Sequence, residues 1–146
     1  MRRVYVDTSA LFALMDADDL FHLEAQKTWN DLLDQGKSLF TSNYVLVEVC
    51  ALLQRRLGLE ALRVFHHDIY PILHMLWAEP ESYGEAMATL LALNRSGLSL
   101  VDCFSFHAMR AHHIDTVFTF DKDFAAQGFI LLPTGQVTRA DLIHER

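Results

Sequence analysis

Short runs of β-branched and aromatic residues alternate with helical periodicities along this chain, and that alternation limits the fold more than any other feature. The first run is Val4-Tyr5-Val6, followed at once by Asp7-Thr8-Ser9 and a helical pattern over residues 9–15. A β-prone run bounded in this way reads as a buried strand. Asp16-Ala17-Asp18-Asp19 is a polar break. Residues 21–35 then place Phe21, Ala25, Trp29, Leu32 and Leu33 at helical spacing, with Gly36 as the stop. Leu39-Phe40-Thr41 is the second short strand, and Ser42 or Asn43 caps a helix that runs to Leu57 before Gly58. Helix continues over 59–69 and ends at Pro71, strand follows over 72–77, and a helix with Pro80 in its first turn covers 79–93. Ser99 opens a helix carrying Phe106 and Met109, 116–120 is a strand, and 129–132 is the last, stopped by Pro133.

Strands that alternate with helices predict a three-layer α/β/α domain around a five-stranded, mostly parallel sheet. The sequence shows no internal repeat and no linker, so residues 1–146 read as a single domain, with the core ending near 133 and a polar tail after it.

Composition narrows the function classes. Hydrophobic residues make up 51 % of the 146, too many for a disordered chain. Neither a membrane-length apolar run nor a signal-peptide pattern is visible, so the expected location is cytoplasmic. Cys50 and Cys103 lie in apolar helical contexts and read as buried free thiols, without zinc-finger spacing. The net charge of −7 argues against a protein that grips nucleic acid by bulk positive charge. It leaves room for a nuclease whose excess acids gather around a cation.

Four acids occupy matching places. Asp7 ends the first strand, Glu48 lies on the helix after the second, Asp102 starts the helix before the fourth, and Asp121 ends the fourth. Right-handed crossovers bring strand ends of one polarity to one sheet edge, where open α/β sheets bind ligands. Asp7, Asp121 and Glu48 can therefore meet there; periodicity leaves the distance to Asp102 open. Each acid also has a plain structural reading. Asp7 or Thr8 can cap the helix that follows, Ser99-x-x-Asp102 fits a capping box, and Glu48 sits at the rim of an apolar stripe. His22 reads as structural, and the adjacent His66-His67 cannot share a helix face.

If the acids meet, electrostatics restricts what the site can be. Two carboxylates ~4 Å apart repel by roughly 4 kcal/mol at an effective dielectric near 20. Several such pairs rival the ~5–15 kcal/mol that holds a domain together. With no His or Cys in the set, a hard oxygen-seeking cation, Mg²⁺ or Mn²⁺, is the expected partner. Such a centre can activate water and stabilise the leaving oxygen of a phosphodiester.

Asp7-Thr8-Ser9-Ala10-Leu11, Thr41-Ser42 through Glu48, Leu98-Ser99-Leu100-Val101-Asp102 and Thr119-Phe120-Asp121-Lys122-Asp123-Phe124 together resemble the four motifs of PIN-domain ribonucleases. Gly128-Phe129 through Leu132-Pro133 resembles that family's closing strand, and the size resembles VapC-type toxins of toxin–antitoxin pairs. The resemblance implies a PIN-like fold and metal-dependent cleavage of RNA. It implies metal-binding acids at Asp7, Glu48, Asp102 and Asp121, with Asp123 as an auxiliary group. Thr8 or Ser9, and Thr119, would orient carboxylates or water. An antitoxin protein and a second copy of the chain are the implied partners.

Arg55, Arg56, Arg63, Arg95, Arg110 and Lys122 are candidates for phosphate contact, Arg55, Arg56 and Lys122 foremost. The alternatives are a housekeeping RNA-processing nuclease of the same fold and a catalytically silent module that binds RNA or a partner. An aspartyl-phosphate phosphatase would want an acid two residues after Asp7, where Ser9 stands.

Overall fold

The computed structural model describes residues 2–135. Five strands form one sheet in the order β3-β2-β1-β4-β5, with every pairing parallel. β1 is Arg3–Val6, β2 Ser38–Ser42, β3 His74–Leu76, β4 Thr116–Phe118 and β5 Ile130–Leu132. The helices are α1 Thr8–Met15, α2 His22–Asp34, α3 Asn43–Leu57, α4 Leu59–Val64, α5 Ser82–Leu93, α6 Leu100–Ala111 and the short α7 Asp123–Ala126.

β1 is buried on both faces: Val4, Tyr5 and Val6 are all inaccessible, as are Thr116, Val117 and Phe118 of β4. A strand whose consecutive side chains are all buried has lost the in-out alternation of a half-exposed sheet, which is the signature of helices covering both faces. α1 packs on α2 and α3, and α5 on α6. The core is rich in aromatic rings. Phe21 stacks on Phe120 with centroids 4.7 Å apart, and Phe106 meets Phe124 edge-on at 5.0 Å. Fully burying such a side chain contributes about 1.5–3 kcal/mol. No helix among the described residues is long and apolar enough to cross a membrane.

The predicted fold class, strand number and element order match the structure, and several boundaries need correction. The expected helix over 59–69 is α-helical only to Val64; Phe65–Ile69 winds as a π-helix and Tyr70–Ile72 as a 3₁₀ turn. Pro71 lies inside that last turn, so β3 starts at His74 rather than at residue 72. The helix expected from 79 begins at Ser82, with Pro80 in the turn before it. β4 stops at Phe118, so 119–121 form the loop beyond the strand end rather than the strand itself. Leu33 lies 37 % exposed, outside the buried face that α2 makes with Ala25, Thr28, Trp29 and Leu32. Cys50 is only half-buried, whereas Cys103 is buried; both are free thiols. Most of the predicted polar tail falls outside the described residues.

Candidate functional site

The strand order reverses at β1. The chain leaves it for β2 and β3 on one side and returns to β4 and β5 on the other. A crevice opens at such a switch point, outside the carboxyl ends of the two diverging strands. Asp7 follows β1 there, and the 119–121 loop follows β4. The Asp7 N–H donates to the Phe118 carbonyl at 3.0 Å, extending the β1–β4 ladder by one rung and fixing the position of the Asp7 side chain.

A hydroxyl network holds that carboxylate. Thr119 Oγ1 donates to Asp7 Oδ2 at 2.9 Å and Ser9 Oγ donates to the same oxygen at 3.1 Å. The two hydroxyls are 3.1 Å apart. They also organise the loop: the Phe120 N–H donates to Ser9 Oγ and the Asp121 N–H to Thr119 Oγ1. Asp121 Oδ1 in turn accepts from the Asp123 N–H at 2.9 Å, which turns the chain into α7. Thr8 takes no part; its hydroxyl oxygen is buried without a hydrogen-bond partner among the described residues.

Asp102 arrives on α6. Ser99 is the N-cap, and the capping box is complete: the Asp102 N–H donates to Ser99 Oγ and the Ser99 N–H to Asp102 Oδ2, each at 3.0 Å. The structural role expected for Asp102 is therefore real. Capping occupies one carboxylate oxygen of two, so it is compatible with a place in the cluster. Asp7, in contrast, is the N-cap residue of α1 by position but makes no side-chain capping bond.

Beneath the acids lies a second polar network that the sequence did not announce. The Tyr5 hydroxyl on β1 donates to Ser42 Oγ at 3.1 Å and lies 2.8 Å from Ser105 Oγ. Ser42 caps α3 by accepting from the Val45 N–H, and Ser105 sits one turn into α6. One buried phenol thus ties the first turns of α3 and α6 to the central strand. Burial pushes the Tyr5 hydroxyl well above its ordinary pKa, so it stays protonated and keeps its donor.

Carboxylate oxygens of Asp102, Asp121 and Asp123 lie within 4.8 Å of one another. Asp7 is close enough to sense Asp102 and Asp121, and Asp102 senses Glu48 and Asp123. Burial first, then the charge of Asp102, raises Asp7 to about 7, against the lowering effect of the Thr119 hydrogen bond. Burial likewise raises Asp121 to about 6, with Asp102 and Asp123 adding to it. Asp102 is raised by burial despite its bonds to Ser99. Glu48 is half-buried on α3 and lies outside the tight trio.

Of the predicted phosphate-contact residues, Arg55, Arg56 and Lys122 are exposed. Arg56 lies over the Phe12 ring at 5.7 Å. Arg110 bonds Gln127 twice and covers Phe129, which gives it a structural place. Arg95 alone of the candidate bases is paired with a cluster acid among the described residues: its Nη2 lies 2.6 Å from Asp123 Oδ1. The sequence singled out the residue but not this pairing, which joins residues 28 positions apart. His22 Nδ1 lies 2.8 Å from the Ala13 carbonyl, in keeping with the structural role expected of it.

An open parallel α/β sheet with hydroxyl-braced carboxylates gathered at its switch point defines a class of acid-centred α/β proteins suited to a hard divalent cation. The model of the PIN domain matches residues 4–130, and the chain belongs to that family. It is 33 % identical over 131 residues to the 23S rRNA-specific endonuclease VapC20 of Mycobacterium tuberculosis, in each of two strains, covering 87 % of this chain and 95 % of the relative. The crystal structure of that species' VapC20, described as a sarcin-ricin loop cleaving toxin, matches with a TM-score of 0.77 at 30 % identity over 87 % of this chain and 96 % of the other. VapBC2 from Rickettsia felis, bound to a promoter DNA fragment, matches at a TM-score of 0.66 and 15 % identity over 88 % of this chain and 96 % of that one. FitAcB from Neisseria gonorrhoeae matches at 0.64 and 14 % over 88 % and 95 %. These last two share the fold.

Proposed function

We propose that this chain is a Mg²⁺-dependent endoribonuclease that hydrolyses RNA phosphodiester bonds, acting in the cytoplasm as the toxin of a toxin–antitoxin pair. The observation that carries the reading is the trio Asp102, Asp121 and Asp123 at the carboxyl edge of the sheet, with Asp7 outside the trio but close enough to feel Asp102 and Asp121 and braced by Ser9 and Thr119. The homology to an endonuclease named as a toxin supports the assignment of RNA and the toxin role.

The donor set fits the ion. All ligating atoms are carboxylate oxygens, the type that Mg²⁺ and Mn²⁺ favour over softer metals. Burial, with neighbouring carboxylates adding to it, raises the pKa of Asp7 and Asp121, so a cation at the cluster would favour their ionised forms. Asp7, Asp102 and Asp121 would hold the ion, with Glu48 reaching in from α3. Asp123 shares its carboxylate between this group and Arg95. A bound Mg²⁺ would supply Lewis acidity and charge neutralisation at a phosphodiester. The chain's own residues orient what meets it. Ser9 and Thr119 fix the rotamer of Asp7, and Asp102 is locked by its capping box. Arg55, Arg56 and Lys122 are exposed positive charges for the RNA backbone beyond the cleavage point.

We further propose that residues 1–146 form one nuclease domain, and that a second copy of the chain and an antitoxin protein are its partners. Ribosomal RNA, the substrate named for the M. tuberculosis relative, is the first target to assay. Purified protein should cleave it with Mg²⁺ or Mn²⁺ and stop in EDTA. Cleavage that persists in EDTA through repeated purification would overturn the metal requirement.

A further inference from the structure

Arg95 stands in the loop between α5 and α6, just before the helix that delivers Asp102. Its Nη2 donates to Asp123 Oδ1 at 2.6 Å, and Asp123 in turn shares the trio with Asp102 and Asp121. The pair is lopsided in burial: the Asp123 side chain is 10 % exposed and the Arg95 side chain 48 %. A guanidinium has five N–H donors in a planar fork, and this contact uses one arm. Asp123 therefore acts as a buried post that holds a half-exposed guanidinium beside the acid cluster. This matters for a chain of net charge −7 whose site gathers carboxylates. A phosphodiester approaching the cluster meets like charge, and Arg95 places a positive charge beside it.

We infer that Arg95 is a substrate-positioning residue: its solvent-facing N–H groups bind a phosphate of the RNA next to the scissile one, while Asp123 fixes its direction. The inference rests on the endoribonuclease reading and adds to it a particular contact. It also separates Arg95 from Arg55, Arg56 and Lys122, which no acid of the cluster holds among the described residues. A guanidinium matches phosphate oxygens in a way that lysine does not.

The test is steady-state cleavage of one RNA substrate at several salt concentrations by wild type and Arg95→Gln. The expected result is a KM raised about tenfold, a kcat within about threefold of wild type and an unchanged Mg²⁺ requirement, the pattern for loss of ground-state binding. The log–log dependence of KM on salt should flatten by about 0.7, the slope for one phosphate contact on a single strand. Arg95→Gln also strands the buried Asp123 carboxylate. Asp123→Asn and the Asp123→Asn/Arg95→Gln double variant are therefore compared by binding of a fluorescent single-stranded RNA in EDTA, where the RNA stays intact. The double variant should bind with a slope lower by the same ~0.7 than Asp123→Asn alone. An unchanged KM and slope would overturn the inference, as would a fall in kcat with a raised Mg²⁺ requirement, which would place Arg95's effect on the metal acids. Wild-type protein that cleaves no RNA would instead bring down the nuclease reading itself.

Discussion

Thr119 donates its hydroxyl to Asp7 across 2.9 Å, joining the end of β4 to the end of β1 at the point where the sheet reverses. The same oxygen receives the Asp121 N–H. One hydroxyl thus sets the carboxylate on one strand and the loop that carries the acid of the next. Its bond opposes the burial that raises Asp7. Thr119→Val keeps the shape and removes the hydroxyl. We expect a loss of about 1 kcal/mol in stability. The pKa governing Asp7 should rise, so the acid limb of the pH–activity profile moves to higher pH, and Mg²⁺ affinity should fall about tenfold. A pH–rate profile that does not move would show that Thr119 serves the loop only.

Metal-free stability should fall as pH rises through neutrality. Asp7 is raised to about 7 and Asp121 to about 6 from the ordinary value of 3.8. Over that window the folded chain binds protons that the unfolded chain does not. The stabilising contribution is complete below the unfolded value and disappears as pH passes the folded ones. In EDTA, melting temperature should drop by about 5–10 °C between about pH 5 and pH 8. Saturating Mg²⁺ should reverse the trend, because it binds the ionised acids. A melting temperature in EDTA that is flat or rises over this range would mean that burial and crowding do not hold protons on these acids.

Tyr5→Phe tests the buried phenol that fastens α3 and α6. Ser42 still has the Val45 N–H, whereas Ser105 loses its neighbour at 2.8 Å. The cost should be about 1–2 kcal/mol. Activity should fall severalfold more than stability at the assay temperature explains, because both helices that carry candidate acids lose their common anchor. Thermal melts beside cleavage rates at one fixed temperature separate the two effects.

The sheet and its acids were legible in the sequence for a physical reason. Val4-Tyr5-Val6 is buried on both faces, so it reads as an uninterrupted apolar run, and the shorter strands beside it are marked off by the helical periodicities between them. Parallel topology then brings every strand end to one edge without any need for side-chain detail. Asp7, Asp121 and the Ser99–Asp102 capping box followed from position alone. What stayed hidden depends on contacts between residues far apart in sequence. The Tyr5–Ser105 link spans 100 positions and the Arg95–Asp123 pair 28. Arg95 and Arg110 look alike in sequence, yet one reaches the cluster and the other lies across Phe129. The π-helical turn over Phe65–Ile69 was also hidden, since its periodicity differs from an α-helix by too little to show in five residues.

Overexpression should arrest growth of a bacterial host, and Asp7→Asn should relieve the arrest at equal protein level. Where a small DNA-binding protein is encoded immediately upstream, its coexpression should relieve the arrest for the wild type. An Asp7→Asn chain as toxic as wild type would separate toxicity from catalysis.

Asp→Asn exchanges at Asp7, Asp102 and Asp121 distinguish cluster acids from caps. Asn is nearly isosteric with Asp and an equally good N-cap, so most capping energy, ~1 kcal/mol, survives. Each exchange removes a negative charge from a crowded group and weakens a metal ligand. Asp7 makes no side-chain cap, so Asp7→Asn relieves a buried and crowded charge at the cost only of weaker bonds from Ser9 and Thr119, and should raise the metal-free melting temperature most. Its pKa of about 7 implies a few kcal/mol of strain in the ionised form, at about 1.4 kcal/mol per unit. Asp121→Asn should gain less, because it sits lower, at about 6. Asp102→Asn should be close to neutral, since its amide oxygen still accepts from the Ser99 N–H but with a weaker, uncharged bond. All three should lose cleavage by at least about a hundredfold and lose most of the Mg²⁺-induced rise in melting temperature. A variant that melts lower without metal and still cleaves RNA would assign that residue to structure and remove it from the site.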